Sequence, residues 1–494
     1  MDNIAQRTAR GGVFLFTAQA VKVLAQVGAM VILARLLTPA TFGLVAMTAA
    51  LNAILEPLKE LGLSSATIQK PDITHAEVST LFWINAGVGT AIALGLIAAA
   101  PAIAHFYQQP DLLEVTRWLA LGFFIGGLGA QHWALLRRQM RLRAVAIMEV
   151  SAEILSFALA IALAYDGAGY WALVAQRLVA PTLVVAGGWT LCRWRPSLPS
   201  RPPGLRALFA FGASVTATTI LGTLARNIDQ VLIGSLWGPF SLGLYERASK
   251  LLMVPINNIF IPLYSVGMPT LSRLTEQETR YRHAFSELLE KLVMVTMPTA
   301  AFVLLTSDWI TDVLFGRQWH AASPLVGYFG LAIAYYPSIL AASLLYLSQN
   351  RPGEMLRATF VDVALALASI LIGLPFGATT VAASLALVGV TIRLPTSLWL
   401  ATRTGPIRLH DIFGTVVPSV LATGAVAGSL WLLRQFVPGL APSPLAGIAS
   451  AIPVAAAAAA VVFWAVPRSR RALRSLLALP KLLFGAEEQP APAD

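Results

Sequence analysis

Stretches of about twenty mostly apolar residues follow one another along nearly the whole chain, each long enough to cross a hydrocarbon core of roughly 30 Å as a helix. No water satisfies the backbone inside a bilayer, so spanning segments must be helices or closed barrels. The length of these stretches is that of helices. Composition agrees: the 494 residues are 57% hydrophobic and 12% charged, with mean hydropathy +0.70, whereas globular chains are about a quarter charged. The sequence therefore predicts an all-α integral membrane protein of about fourteen spans, at 12–36, 42–63, 78–103, 115–136, 145–165, 169–191, 208–236, 241–268, 291–314, 324–348, 357–375, 378–401, 412–433 and 445–466. The start, Met1-Asp2-Asn3-Ile4, leads through Arg7 and Arg10 into a full-length span with no small-residue cleavage site, so no cleavable signal is expected.

Charge orients the spans. Of 35 Lys and Arg, 24 fall on the side of the N-terminus, the even-numbered loops and the C-terminal tail, against four on the other side and seven inside spans. Under the positive-inside rule both termini are cytoplasmic. The net charge of +11 is spread over short loops, which suits an anionic leaflet rather than nucleic acid. The lone Cys192 excludes an intramolecular disulfide and a cysteine-based metal site.

Two weak copies of one motif show how the chain is organised. Val31-Ile32-Leu33-Ala34-Arg35-Leu36-Leu37-Thr38-Pro39-Ala40-Thr41-Phe42-Gly43-Leu44 returns as Val231-Leu232-Ile233-Gly234-Ser235-Leu236-Trp237-Gly238-Pro239-Phe240-Ser241-Leu242-Gly243-Leu244. In each copy a hydrophobic helix ends, a Pro-containing turn follows and a second helix begins. A second register, 210 residues, relates Gln139-Met140-Arg141 to Gln349-Asn350-Arg351 and Gly167-Ala168 to Gly377-Ala378. Spans one to six then correspond to seven to twelve, as parallel repeats with an even number of spans each. The expected organisation is an N-terminal lobe at 1–193, a Pro-rich cytoplasmic linker at 194–206, a C-terminal lobe at 207–405, two extra helices within 406–467 and a basic tail at 468–494, disordered from about Gly485. In the longest cytoplasmic loop, Leu271, Leu274, Tyr281, Phe285 and Leu288 recur at helical spacing, which predicts an amphipathic helix on the membrane surface.

A charge within a span costs about 2.5–3.5 kcal/mol on insertion scales, so it should face a wet cavity or pair inside the bundle. Lys22 and Gln26 lie one turn apart on span one, with Gln19 on the same side. Span seven offers Arg226, at the repeat position of Gln26, followed by Asp229 and Gln230. Span two adds Asn52, Glu56, Lys59 and Glu60, and span eight adds Glu246, Arg247 and Lys250. If these helices line one cavity, it is polar and net cationic, suited to a large anionic, hydroxyl-rich ligand. The candidates for that cavity are Lys22, Gln26, Arg226, Gln230, Arg247 and Lys250. Glu56 with Lys59 or Glu60, and Glu246 with Lys250, also fit local ion pairs, and Asp229 also fits a neutralising partner of Arg226. Glu149 and Glu153 on span five, and Asp362 at nearly the equivalent position of span eleven, form a separate acidic set. Asp229, Glu56, Glu153 and Asp362 are candidates for coupling to a proton or sodium gradient. Helix–helix hydrogen bonding is the alternative for Glu153 and Asp362, as it is for Arg177 and Arg393.

No phosphate-cradling Gly-rich loop with Lys-Ser/Thr is present, so ATP is not the expected energy source, and no cofactor is expected. The six His are scattered. The longest loop on the outer side holds Asp308, Asp312, Arg317 and His320, too little for an enzyme acting on glycans there, and Trp319-His320 reads as an interfacial anchor.

With these residues in view the chain resembles the Wzx-type polysaccharide flippases of the multidrug/oligosaccharidyl-lipid/polysaccharide exporter superfamily. The resemblance covers essentially the whole chain. It rests on Gly11-Gly12, Leu33-Ala34-Arg35-Leu36-Leu37-Thr38-Pro39 through Phe42-Gly43-Leu44, Ala134-Leu135-Leu136-Arg137-Arg138-Gln139-Met140-Arg141, Asp229-Gln230-Val231-Leu232-Ile233-Gly234 and Gly243-Leu244-Tyr245. It implies fourteen helices in two lobes, alternating access, and a cationic lumen for the pyrophosphate and glycan of an undecaprenyl-linked oligosaccharide, flipped across the bacterial inner membrane for exopolysaccharide, O-antigen or capsule. A groove for the lipid tail, walled by spans thirteen and fourteen, is part of that expectation. So are membrane lipids as partners, together with the polymerase and chain-length regulator of the same pathway. The competing readings are a cation-coupled multidrug exporter, which calls for twelve spans and an acidic cavity, and a polysaccharide polymerase, which calls for a large outer loop with catalytic clusters.

Overall fold

A computed structural model describes residues 2–60, 62–70, 72–200, 205–437, 443–467 and 469–474. Residues 201–204 of the expected linker, and 475–494 of the expected tail, lie outside the described residues. The helices are α1 (Asp2–Leu36), α2 (Pro39–Glu60), α3 (Leu63–Gln69), α4 (His75–Tyr107), α5 (Leu112–Arg138), α6 (Leu142–Tyr165), α7 (Tyr170–Leu191), α8 (Leu205–Ser272), α9 (Glu278–Leu305), α10 (Ser307–Leu314), α11 (Ser323–Ser348), α12 (Pro352–Gly373), α13 (Ala378–Val388), α14 (Leu394–Thr402), α15 (Leu409–Phe436) and α16 (Pro444–Ala465). Among the described residues, twelve helical segments are long and apolar enough to cross a membrane; eleven coincide with expected spans, and the ninth, expected at 291–314, runs instead over Glu278–Leu305, with the rest of that stretch in the separate helix α10. The seventh and eighth expected spans fall on α8, which Gly238 breaks into two limbs with φ 74° and ψ −178°. That backbone is open to glycine and strained for other residues. The chain is a multi-pass helical membrane protein.

Packing divides it into two units, Met1–Arg247 and Ala248–Asp494. In the first, α4 packs on α5, α5 on α7, α6 on α7 and α1 on α6. Small residues let these backbones close together, as expected where lipid gives helices no hydrophobic reason to associate: a methyl group on Gly89 would lie 2.5 Å from the Phe123 carbonyl oxygen, and one on Gly127 2.6 Å from that of Asn85. The two motif copies meet in the same way. A methyl on Gly43 would lie 1.7 Å from the Pro239 carbonyl oxygen, and one on Gly243 1.9 Å from the Pro39 carbonyl oxygen. The contact is reciprocal, as for two copies related by a local twofold.

The 210-residue register also reappears in backbone geometry. Met140 and Asn350 both take positive φ, 54° and 55°, and Gly167 and Gly377 do so at 81° and 113°. The Arg141 amide donates to the Leu136 carbonyl at 3.0 Å, and the Arg351 amide to Tyr346 at 2.8 Å. The two arginine side chains reach equivalent carbonyls, Leu191 for Arg141 and Ala401 for Arg351.

The described part of the Pro-rich stretch, 194–200, is not free chain. Ser197 amide and hydroxyl bond the Ser79 hydroxyl at 3.1 and 3.0 Å, the Ser200 carbonyl accepts from Thr80 at 2.9 Å, and Trp83 Nε1 donates to the Ser197 carbonyl at 2.9 Å. Proline, lacking N–H donors, keeps the segment extended, and the hydroxyls and indole of α4 satisfy the polar groups that remain.

In the second unit α9 packs on α11 and α15, and α15 on α16. Two expectations change here. The helix expected on the membrane surface is the first half of α9 and what precedes it: Leu271, Tyr281 and Phe285 are buried in one cluster with Leu289, Leu344 and Leu345, and Leu274 and Leu288 pack against it. Its apolar face has protein to cover it. Trp319, expected as an interfacial anchor, is fully buried against Phe315, with ring centroids 5.6 Å apart.

Candidate functional site

In the first unit the sequence candidates gather in small groups. Lys22 and Gln26, one turn apart on α1, both turn to Glu153 of α6: Lys22 Nζ stands 3.4 Å from Oε2, and Gln26 Nε2 donates to Oε1 at 2.9 Å. The pair is partly accessible, 27% for the Lys22 side chain and 23% for that of Glu153. Its ion-pair distance is longer than the 2.7–2.9 Å of a tight charge-assisted bond. Glu153, read from sequence in a separate acidic set, thus belongs with the cation of span one.

Along α8, Arg226 is exposed and donates to Thr223 Oγ1 of its own helix at 3.1 Å. Asp229 turns elsewhere: its Oδ2 accepts the Tyr245 hydroxyl at 2.6 Å and its Oδ1 the Gln230 amide at 2.8 Å. The pairing of Asp229 with Arg226 is therefore replaced by one across the Gly238 break. Gln230 is half-buried beside it. Arg247 is paired with Glu246 at 2.8 Å and lies over the Phe42 ring at 4.1 Å, a cation–π contact that favours a fixed guanidinium. Arg177 of α7 is exposed and within electrostatic reach of both Glu246 and Arg247. Glu56 forms the local ion pair with Lys59, whose ammonium end packs on Gly126 of α5. The side chain of Glu60 lies outside the described residues. Lys250 falls in the second unit, half-buried.

In the second unit Asp362 of α12 is engaged through both oxygens by Arg393, Nε and Nη2 each donating at 2.9 Å. This is the helix–helix pairing held open as the alternative to ion coupling. Arg393 closes a π-turn, Gly389–Arg393, that joins α13 to α14. Tyr335 of α11 explains the turn: a methyl on Gly389 would strike its ring at 2.4 Å, and the Arg393 guanidinium sits 5.8 Å from that ring. Single π-turns of this kind are rare inside α-helices.

The described contacts keep Lys22 with Gln26, Arg247 with Glu246 and Arg226 on its own helix as separate groups. Sequence reasoning missed Tyr245, Phe42 and Tyr335 as partners. Tyr245 and Phe42 stand in the quoted motifs, yet nothing in a neutral aromatic signals which charge it will meet. Chemically, the first unit offers cations from several helices, with the Lys22–Glu153 contact longer, at 3.4 Å, than that of Arg247 with Glu246, at 2.8 Å. Among the described residues no group of three or more His, Cys, Asp and Glu is placed to hold a metal.

Comparison with known proteins agrees with this arrangement. Residues 32–324 match a family model described as polysaccharide biosynthesis protein. Similar curated proteins include the teichuronic acid biosynthesis protein TuaB of Bacillus subtilis (strain 168), 29% identical over 54% of this chain and 56% of its own length. The lipopolysaccharide biosynthesis protein WzxC of Escherichia coli (strain K12) is 24% identical over 60% and 61%. The succinoglycan biosynthesis transport protein ExoT of Rhizobium meliloti (strain 1021) is 26% identical over 61% of each. The matched region spans less than two thirds of these relatives. In fold, the chain is similar to the lipid II flippase MurJ in an inward closed conformation, with TM-score 0.69 and 11% identity over 91% of this chain and 97% of that one. It is also similar to an inward-facing MATE family multidrug resistance transporter of the MOP superfamily, with TM-score 0.59 and 14% identity over 79% and 97%. With the family model covering most of the helices that carry the repeated motif and the intramembrane charges, the chain belongs to the polysaccharide biosynthesis protein family.

Proposed function

We propose that this protein flips oligosaccharide repeat units linked to a polyprenyl pyrophosphate, undecaprenyl pyrophosphate in a bacterial inner membrane, from the cytoplasmic to the outer leaflet. The observation that carries the reading is the cation set of the first unit, Lys22, Arg177, Arg226 and Arg247, set on α1, α7 and α8 within apolar helices. Moving a diphosphate and its sugars through hydrocarbon forfeits hydration at every charge and hydroxyl, and fixed cations and amides replace it. The polyprenyl tail can stay in lipid. The names of the relatives, for teichuronic acid, lipopolysaccharide and succinoglycan, and of the fold neighbour, a lipid II flippase, point to the same substrate class.

In this reading Lys22, Gln26, Arg226, Gln230, Arg247 and Lys250 serve the head group. The expected parallel repeat of 1–193 and 207–405, with both termini cytoplasmic, suits alternating access, and a proton or sodium gradient drives the cycle through Asp229, Glu56 or Glu153, Asp362 being held by Arg393. A polymerase and a chain-length regulator would take the product on the far side. Deleting the gene and probing intact spheroplasts with a membrane-impermeant lectin tests the reading. Complete lipid-linked units trapped on the cytoplasmic face are expected. Single units displayed outside without polymer would instead make the protein a polymerase.

A further inference from the structure

The Lys22–Glu153 contact is more than an ion pair within a span. Glu153 engages two polar groups of α1, the ammonium of Lys22 and the amide of Gln26, and it does so from α6, the helix on which α1 packs in the first unit. Two donors one turn apart that converge on two carboxylate oxygens present the geometry that a phosphate group would also satisfy, since a carboxylate and a phosphate each offer paired anionic oxygens. The hold is incomplete. Glu153 Oε2 is buried, and its described partner is Lys22 at 3.4 Å, beyond a normal hydrogen bond. The Lys22 and Glu153 side chains are both about a quarter accessible.

We propose that Glu153 is a resident counter-ion that latches α1 to α6, and that the diphosphate of the substrate displaces it from Lys22 and Gln26, so that head-group capture and release of α1 are one event. This rests on the flippase reading and deepens it. It makes Glu153 a positioning residue, one that tunes affinity by competing for the donors the substrate needs. A ligand moves a conformational equilibrium only by its differential affinity for the two states. Here the difference is explicit, because the latched state has its donors filled and the released state has them free.

The test uses the full-length protein in nanodiscs with inorganic pyrophosphate as the probe, Cys192→Ser removing the buried native thiol. Spin labels at Leu24→Cys and Leu155→Cys, both exposed, report the separation of α1 from α6 by pulsed EPR. Pyrophosphate is expected to lengthen that distance. Glu153→Gln should show the longer distance without pyrophosphate and bind the probe about fivefold tighter, the loss of a competitor worth about 1 kcal/mol. Glu153→Asp keeps the charge but draws it back by a methylene, and should show the longer distance as well; it decides the matter if the glutamine variant fails to insert. Equal affinity of wild type and variant, with an unchanged distance, would overturn the latch and leave the head-group site standing. No binding of pyrophosphate to any form would remove the diphosphate site itself, and the latch with it.

Discussion

Glu153 on α6 and Asp362 on α12 stand at nearly the same place in the two repeats, one residue apart in the 210-residue register, yet they are held differently. Glu153 meets a lysine of α1 at 3.4 Å and an amide at 2.9 Å. Asp362 is gripped by both arms of Arg393 at 2.9 Å, and Arg393 is aimed by a π-turn fitted to Tyr335. The turns around them have kept their geometry, since Met140 and Asn350 repeat the same positive φ and Arg141 and Arg351 reach equivalent carbonyls. Duplication thus preserved the backbone punctuation while the charges diverged. A planar guanidinium with paired bonds makes a fixed clip, whereas a flexible lysine with one loose contact makes an exchangeable one. For the head group proposed above, the first unit is where an anion would have something to exchange with.

The contrast breaks most readily in the second unit. Asp362→Ala leaves the Arg393 guanidinium, held through two 2.9 Å bonds, without its partner and should cost about 2–3 kcal/mol, the range for a lost charge-assisted hydrogen bond. Loss of most folded protein in detergent-solubilised thermal melts is the expected result, with partial recovery in Asp362→Ala/Arg393→Leu. Next comes the symmetric contact of the motif copies. Gly43→Ala and Gly243→Ala each force a methyl against a proline carbonyl, and each should cost about 1–3 kcal/mol, the range for overpacking. Similar losses at the two sites support a local twofold, and a loss at one alone would break it. The smallest structural effect belongs to the loose pair: a double-mutant cycle of Lys22→Met and Glu153→Gln should give a coupling of at most about 1 kcal/mol, because both groups are partly accessible. A coupling as large as that of Asp362 with Arg393 would erase the distinction between clip and latch.

Sequence carried the spans because twenty-residue apolar length is a property of each segment by itself; eleven of the twelve described spans sit where it placed them, and the ninth is displaced because the charged first turns of α9 hid its start. It also carried the duplication, since Pro39, Gly43, Pro239 and Gly243 align in register. That the two glycines touch each other was not legible, as a small residue says only that something comes near. Partners across helices were hidden for the same reason. Arg393 is 31 residues from Asp362 and reaches it from the end of a π-turn that no residue pattern announces. The hydrophobic face of α9 was visible, but an apolar stripe reads alike whether lipid or Leu344 and Leu345 cover it. The strap at 194–200 was read as a break because its prolines exclude a helix, while the hydroxyls of Ser79 and Thr80 that hold it carry no pattern.

The most direct test of the central claim is reconstitution in sealed proteoliposomes with a fluorescent oligosaccharide on a polyprenyl pyrophosphate, following the fraction protected from an impermeant quencher over time. Wild-type protein should speed the exchange between leaflets, and Lys22→Ala should slow it about tenfold or more, the loss of one charge-assisted phosphate contact, while its melting curve stays near wild type. Exchange no faster than in protein-free vesicles, or a Lys22→Ala protein that flips at the wild-type rate, would contradict the account.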